Sequence, residues 1–121
     1  MVKIVIIGAG SHVFSRRLIT DFLYYPELRN STITLMDIDK ESLALTTAFA
    51  KRIIEQHGFK TEIESTLNRR EALDGADYVI VSIRVGGFEI NKLDLMIPAK
   101  YGVKQGVGDT IGPGGVFYAL R

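Results

Sequence analysis

Hydrophobic residues in this chain fall into short continuous runs separated by longer amphipathic stretches. Val2 to Ile7 reads V-K-I-V-I-I and closes at Gly8; a β-branched run below helix length predicts a strand covered on both faces. From His12 to Tyr24, Phe14, Leu18 and Phe22 recur every fourth residue, Leu23 widens the stripe, and Pro26 follows. That period predicts a helix packed on a sheet through those residues. Thr32 to Met36 predicts a second strand, ending in Asp37-Ile38-Asp39, with Asp39 placed to cap the next helix. Lys40 to His57 sets Leu43, Thr47, Ala50 and Ile54 on one helical face and stops at Gly58. Thr61 to Thr66 predicts a third strand, Asn68 to Leu73 a short helix capped by Asn68 and ended by Gly75, and Tyr78 to Ile83 a fourth, buried strand. Glu89 to Lys100 has helical character that Pro98 limits, and Leu120-Arg121 reads as the first turn of another helix.

Strands alternating with helices predict an α/β fold with a parallel sheet, and right-handed crossovers give the strand order 3-2-1-4. This is the N-terminal part of a doubly wound parallel sheet, a Rossmann-like domain, so the chain is expected to be a fragment of a larger protein. With 121 residues, 46% of them apolar and 24% charged, the chain can bury a core of its own. A net charge of +1 gives no field for a nucleic acid or an anionic membrane. Absence of cysteine excludes disulfides, thiolate metal sites and a cysteine nucleophile within these residues. Neither a long apolar span nor a leader pattern is present, so a cytoplasmic location is expected.

Gly8-Ala9-Gly10-Ser11 follows the first strand and opens the first helix, the context in which a glycine loop binds a dinucleotide. Gly8 would make the tight turn, Gly10 would let the backbone approach a pyrophosphate, Ser11 would add a hydroxyl, and the helix N-terminus would attract the anion. Val13 replaces the usual third glycine, so the helix is expected to sit slightly farther from the strand. Asp37, at the end of strand two, stands where a carboxylate accepts from the adenosine ribose and would repel a 2′-phosphate, favouring NAD over NADP. A plain strand-to-helix turn, and a helix cap at Asp37, are the competing readings of these residues.

Eight of the twelve glycines lie between Gly86 and Gly115. The blocks there, R-V-G-G from Arg84 and G-D-T-I-G-P-G-G from Gly108, together with I-G-A-G-S and L-M-D-I-D, resemble the N-terminal portion of glycoside hydrolase family 4 over nearly the whole chain. The resemblance implies a glycosidase that uses NAD and a divalent metal, usually manganese: oxidation at sugar C3, deprotonation at C2 by a tyrosine, then elimination of the aglycone. It implies a small-molecule glycoside as substrate and a homo-oligomer at full length. Residue by residue, Gly8, Gly10, Ser11 and Asp37 match cofactor-binding positions, and Asp109 matches an acidic position that tunes the tyrosine base. Taken alone, Asp109 also reads as an Asx-turn residue. By the same resemblance the metal ligands and the base lie beyond residue 121, leaving Tyr101 as a packing residue and His12 at most as a pocket lining.

Phospho-sugar members carry an arginine where this chain has Asn91, and a neutral amide is a poor phosphate clamp. With G-V-G-D-T in place of Q-E-T, this favours an unphosphorylated α-galactoside, with the α-galacturonide close behind. Arg84 is placed to meet the cofactor, a substrate carboxylate, or a surface partner. The competing enzyme class is an NAD-dependent 2-hydroxy acid dehydrogenase of the lactate or malate type, which lacks a counterpart to the segment from R-V-G-G to G-D-T. A non-catalytic nucleotide-binding module is the third reading.

Overall fold

The computed structural model describes residues 1–106 and 111–121, which form two compact units, Met1–Ile83 and Arg84–Arg121. In the first, strands β1 (Val2–Ile7), β2 (Ser31–Met36), β3 (Glu62–Thr66) and β4 (Tyr78–Val81) make a parallel sheet in the order β3-β2-β1-β4. Crossovers run through α1 (His12–Tyr24), α2 (Lys40–His57) and α3 (Arg69–Leu73). Register places Ile7 beside both Met36 and Val81, so β1, β2 and β4 present their carboxyl ends along one edge. The strand order is therefore as the alternation of runs requires.

One core lies between the sheet and α1 and α2: Ile6, Ile33 and Leu35 from the strands against Ile19, Leu23, Leu43 and Ala50. A smaller one on the opposite face joins Val5, Ile7 and Met36 to Ala72 of α3. The buried line of α1 is Ser15, Ile19 and Leu23, with Leu18 and Phe22 half-buried beside it. This corrects the expected stripe: Phe14 is 50% exposed, because the sheet-facing line lies one residue further along and begins with a serine that hydropathy does not mark. Val13 is 68% exposed, so it does not stand between helix and sheet and sets no spacing there.

Tyr78 to Ile83 also departs from expectation. The helices of this unit pack over β1, β2 and β3, while β4 forms the sheet edge with Tyr78, Val79 and Val81 63, 45 and 62% exposed. An apolar run reports what a strand is suited to have covered, and an edge strand is covered only where another element reaches it.

The second unit holds α4 (Gly87–Lys100) and α5 (Pro113–Ala119). Starting two residues before Glu89, α4 also runs through Pro98 in its last turn. A proline there removes the amide that would bond to the Asp94 carbonyl. Gly114 of α5 lies against that carbonyl so closely that a Cβ would stand 2.4 Å from it. Asp94 is buried and its carboxylate pairs with Arg121. Leu120 and Arg121 thus follow the end of α5 rather than open a helix, since Pro113 supplies the N-terminal start. Tyr101 caps α4 and is 84% exposed, so it is not a packing residue. No helix among the described residues is long and apolar enough to cross a membrane.

Candidate functional site

The chain turns from β1 into α1 directly over the end of β2. Amides of Gly8 and Ala9 both donate to the Met36 carbonyl at 2.9 Å, and Ser11 N–H reaches back to the Gly8 carbonyl at 3.2 Å. Gly8 has φ +88°, and a Cβ there would stand 2.0 Å from the Ser82 carbonyl oxygen. Both its dihedral and its contact with the end of β4 require glycine.

Gly10 is required for a different reason. A Cβ would lie 2.8 Å from Asp37 Oδ2 and 2.9 Å from Ser42 Cβ, in the first turn of α2. Its N–H donates to Asp37 Oδ2 at 2.7 Å, and the other oxygen, Oδ1, accepts from Asp39 N–H at 2.9 Å. The four residues Gly8, Gly10, Ser11 and Asp37 are therefore gathered at the carboxyl ends of β1 and β2, with Asp37 fastening the glycine loop to the turn after β2.

Helix α1 opens differently from its neighbours. Asp39 caps α2 by accepting from the amides of Glu41 and Ser42, and Asn68 caps α3 by accepting from Arg70 N–H. In α1 the Ser11 side chain makes no capping bond and no acidic residue occupies the first turn. The leading amides of a helix have no partner within it, so this end offers N–H donors and a positive dipole with no side chain set against them. His12 begins the helix, exposed, while the Asp39 carboxyl is held below the ordinary carboxylate range chiefly by a hydrogen bond from the Ser42 amide, with the charge of His12 the least of its causes. The Ser42 hydroxyl adds a second hydrogen bond, and partial desolvation works against both.

Beside Asp37, Met36, Ile38 and the turn 66–70 line an open depression of about 760 Å³. Ile38 is 89% exposed, an apolar side chain between two aspartates at its rim. Sequence reasoning passed over Ile38 and Ser42. A β-branched residue between two aspartates was a readable signal for the first, whereas the second depends on a contact across 32 positions.

In the second unit, Arg84 donates through Nη1 to Asn91 Oδ1 and lays its guanidinium over the Tyr118 ring at 5.0 Å from the centroid. Asn91 is thereby occupied by a cation of the same chain. Asp109 lies outside the described residues. Among the described residues no group of three metal-ligating side chains comes together.

A family model described as Family 4 glycosyl hydrolase matches residues 3–121. The chain is 47% identical over 119 residues to an alpha-galactosidase of Rhizobium meliloti (strain 1021), covering 98% of this chain and 24% of that one. Against an alpha-galacturonidase of Thermoanaerobacter italicus (strain DSM 9252 / Ab9) it is 40% identical over 120 residues, 99% of this chain and 25% of the relative. Its fold matches that of the 6-phospho-beta glucosidase of Thermotoga maritima, solved with manganese, NAD+ and glucose-6-phosphate, at a TM-score of 0.84 and 30% identity, over 100% of this chain and 28% of that chain. The chain spans about a quarter of the length of these relatives.

Proposed function

The chain belongs to family 4 of the glycosyl hydrolases, and from that premise we propose that residues 1–121 are the N-terminal part of the dinucleotide-binding domain of an NAD- and manganese-dependent glycosidase. We read its substrate as an unphosphorylated α-galactoside. The observation that carries the cofactor assignment is the mouth of α1: uncapped, without an acidic side chain, and set beside a glycine loop that has no room for a Cβ at Gly8 or Gly10. Those residues fit a dinucleotide. The first amides of α1 and the Ser11 hydroxyl would hold the pyrophosphate. Asp37, whose oxygens each accept one backbone N–H, keeps lone pairs for the ribose hydroxyls and puts a negative charge where a 2′-phosphate would need a cation. The depression beside Ile38 would take the adenine end.

When bound, NAD supplies a hydride acceptor that turns the sugar C3 into a ketone and its neighbouring C2–H into a carbon acid. Within this chain the remaining role is Asp109, which we assign, on the family resemblance, to tuning the tyrosine base. That tyrosine and the metal ligands belong to the part of the protein outside these residues. Support for the unphosphorylated substrate comes from Asn91 itself, a neutral amide where, on the family resemblance, phospho-sugar members carry an arginine.

The test is a panel of nitrophenyl α-galactoside, its uronate and its 6-phosphate, offered to the full-length protein with NAD and manganese together and with each withheld. The galactoside is expected to be cleaved only when both are present. Cleavage confined to the 6-phosphate would remove the substrate assignment, and undiminished cleavage by NAD-stripped protein would remove the cofactor assignment.

A further inference from the structure

We propose that Arg69 is a cofactor-binding residue whose guanidinium lies over the adenine ring and holds it against Ile38; the inference rests on the dinucleotide reading above and adds to it what grips the base. The depression beside Asp37 sets two unlike surfaces next to each other. Its apolar part is Met36, Ile38 and Leu67, of which Ile38 is 89% and Leu67 49% exposed. Its polar part carries Arg69 and Arg70, and neither guanidinium pairs with a carboxylate among the described residues. Their neighbour in sequence, Glu71, is engaged elsewhere: Oε2 accepts from the Thr66 hydroxyl at 2.8 Å and Oε1 from the Asn68 side-chain amide at 3.1 Å. Ile38 and the two cations are thus unused by the fold.

The two surfaces together select the ligand. A phosphate would neutralise a guanidinium and leave Ile38 and Leu67 in water, and an aliphatic group would cover them and leave the cations idle. A flat aromatic heterocycle meets both, since its faces are apolar enough to rest on Ile38 and electron-rich enough to attract a guanidinium. Helical spacing chooses between the arginines. Ala72 of α3 is buried and packs with Met36. Arg69, three residues before it, lies within about 60° of Ala72 around the helix axis, whereas Arg70 lies about 160° away. Arg69 is therefore the cation on the side of Met36, which also lines the depression. Sequence order agrees: Met36 and Ile38 flank Asp37, and adenine is bonded directly to the ribose that Asp37 would hold.

The test is calorimetry on the full-length protein and its Arg69→Met, Arg69→Lys and Arg70→Met variants, each titrated with NAD, AMP, nicotinamide mononucleotide and NADP. Both arginines are exposed, so these substitutions spare the core. Arg69→Met is expected to weaken NAD and AMP alike by about 5- to 30-fold, the worth of a partly desolvated cation over a ring. Nicotinamide mononucleotide, which has no adenine, should bind it as it binds wild type. Arg69→Lys keeps the charge but not the plane and should stay at least about threefold weaker than wild type for NAD, while Arg70→Met should remain close to wild type. Undiminished NAD affinity in Arg69→Met overturns this inference and leaves the dinucleotide reading standing. An equal loss for nicotinamide mononucleotide, full rescue by lysine, or an equal loss in Arg70→Met would assign the effect to charge alone and also overturn it. A loss confined to NADP would assign the guanidinium to a 2′-phosphate, with the same consequence. If wild type takes up none of the four, the dinucleotide reading itself fails and this inference falls with it.

Discussion

Gly10 shows how one missing carbon organises the turn between β1 and α1. Its N–H and the Asp37 carboxylate approach to 2.7 Å because nothing projects from the α-carbon into the space shared with Asp37 and Ser42. In the Gly10→Ala variant the new methyl would force the carboxylate away and break that hydrogen bond, or push against the first turn of α2. Unlike Gly8, Gly10 does not have a positive φ, so the cost is steric and is expected to be about 1–3 kcal/mol in denaturant unfolding of the full-length protein. Because Asp37 is also the proposed ribose ligand, NAD should bind at least tenfold more weakly, as read by calorimetry. Wild-type stability with wild-type affinity would mean that Asp37 and Ser42 yield freely, and the loop would then not be set by this contact. Sequence alone assigned Gly10 to the approach of a pyrophosphate; the residues that crowd it come from β2 and α2, and local spacing does not carry that information.

At the level of elements, the contrast between capped and uncapped helices has a pH signature. Asp39 accepts from two amides at the start of α2, and its carboxyl is held below the usual range chiefly by Ser42. A folded-state pKa below the unfolded one contributes stability that is present above the unfolded value and is lost as pH falls through the folded one. Asp39→Asn retains an N-cap acceptor without the titration. The stability gap between wild type and Asp39→Asn is therefore expected at pH 7 and should close as pH drops below the ordinary carboxylate range, followed by thermal unfolding; a gap constant down to pH 2 would exclude Asp39 as its source. This cap was legible in the sequence, as were the strands and their order, because β-branched runs, a capping aspartate and a C-terminal glycine are local signals. The buried face of α1 was misread because Ser15 begins it and the periodic Phe14 lies outside it. Start and end of α4 and the whole of α5 were obscured by proline and glycine that serve there as a last-turn residue, an N-terminal start and a close contact with Asp94.

For the whole molecule, the proposed function asks what a half-sheet that would bind a nucleotide could contribute to a reaction whose proposed overall outcome is hydrolysis. A lactate- or malate-type dehydrogenase would share the loop at Gly8 and the carboxylate at Asp37, so neither feature separates the two classes. They differ in electron balance. A dehydrogenase releases oxidised product and leaves one NADH for every turnover. In the proposed glycosidase NAD would act as a reversible hydride acceptor, so it would be needed but not consumed. Full-length protein given stoichiometric NAD and a large excess of nitrophenyl α-galactoside is therefore expected to pass through many turnovers with no lasting rise in absorbance at the NADH band. Nitrophenol release that stops after one equivalent, or NADH that accumulates in step with product, would assign the chain to net redox chemistry. The same geometry at the mouth of α1 would serve both outcomes, because a dinucleotide held there would fix where a hydride can go and leave its return to the rest of the protein.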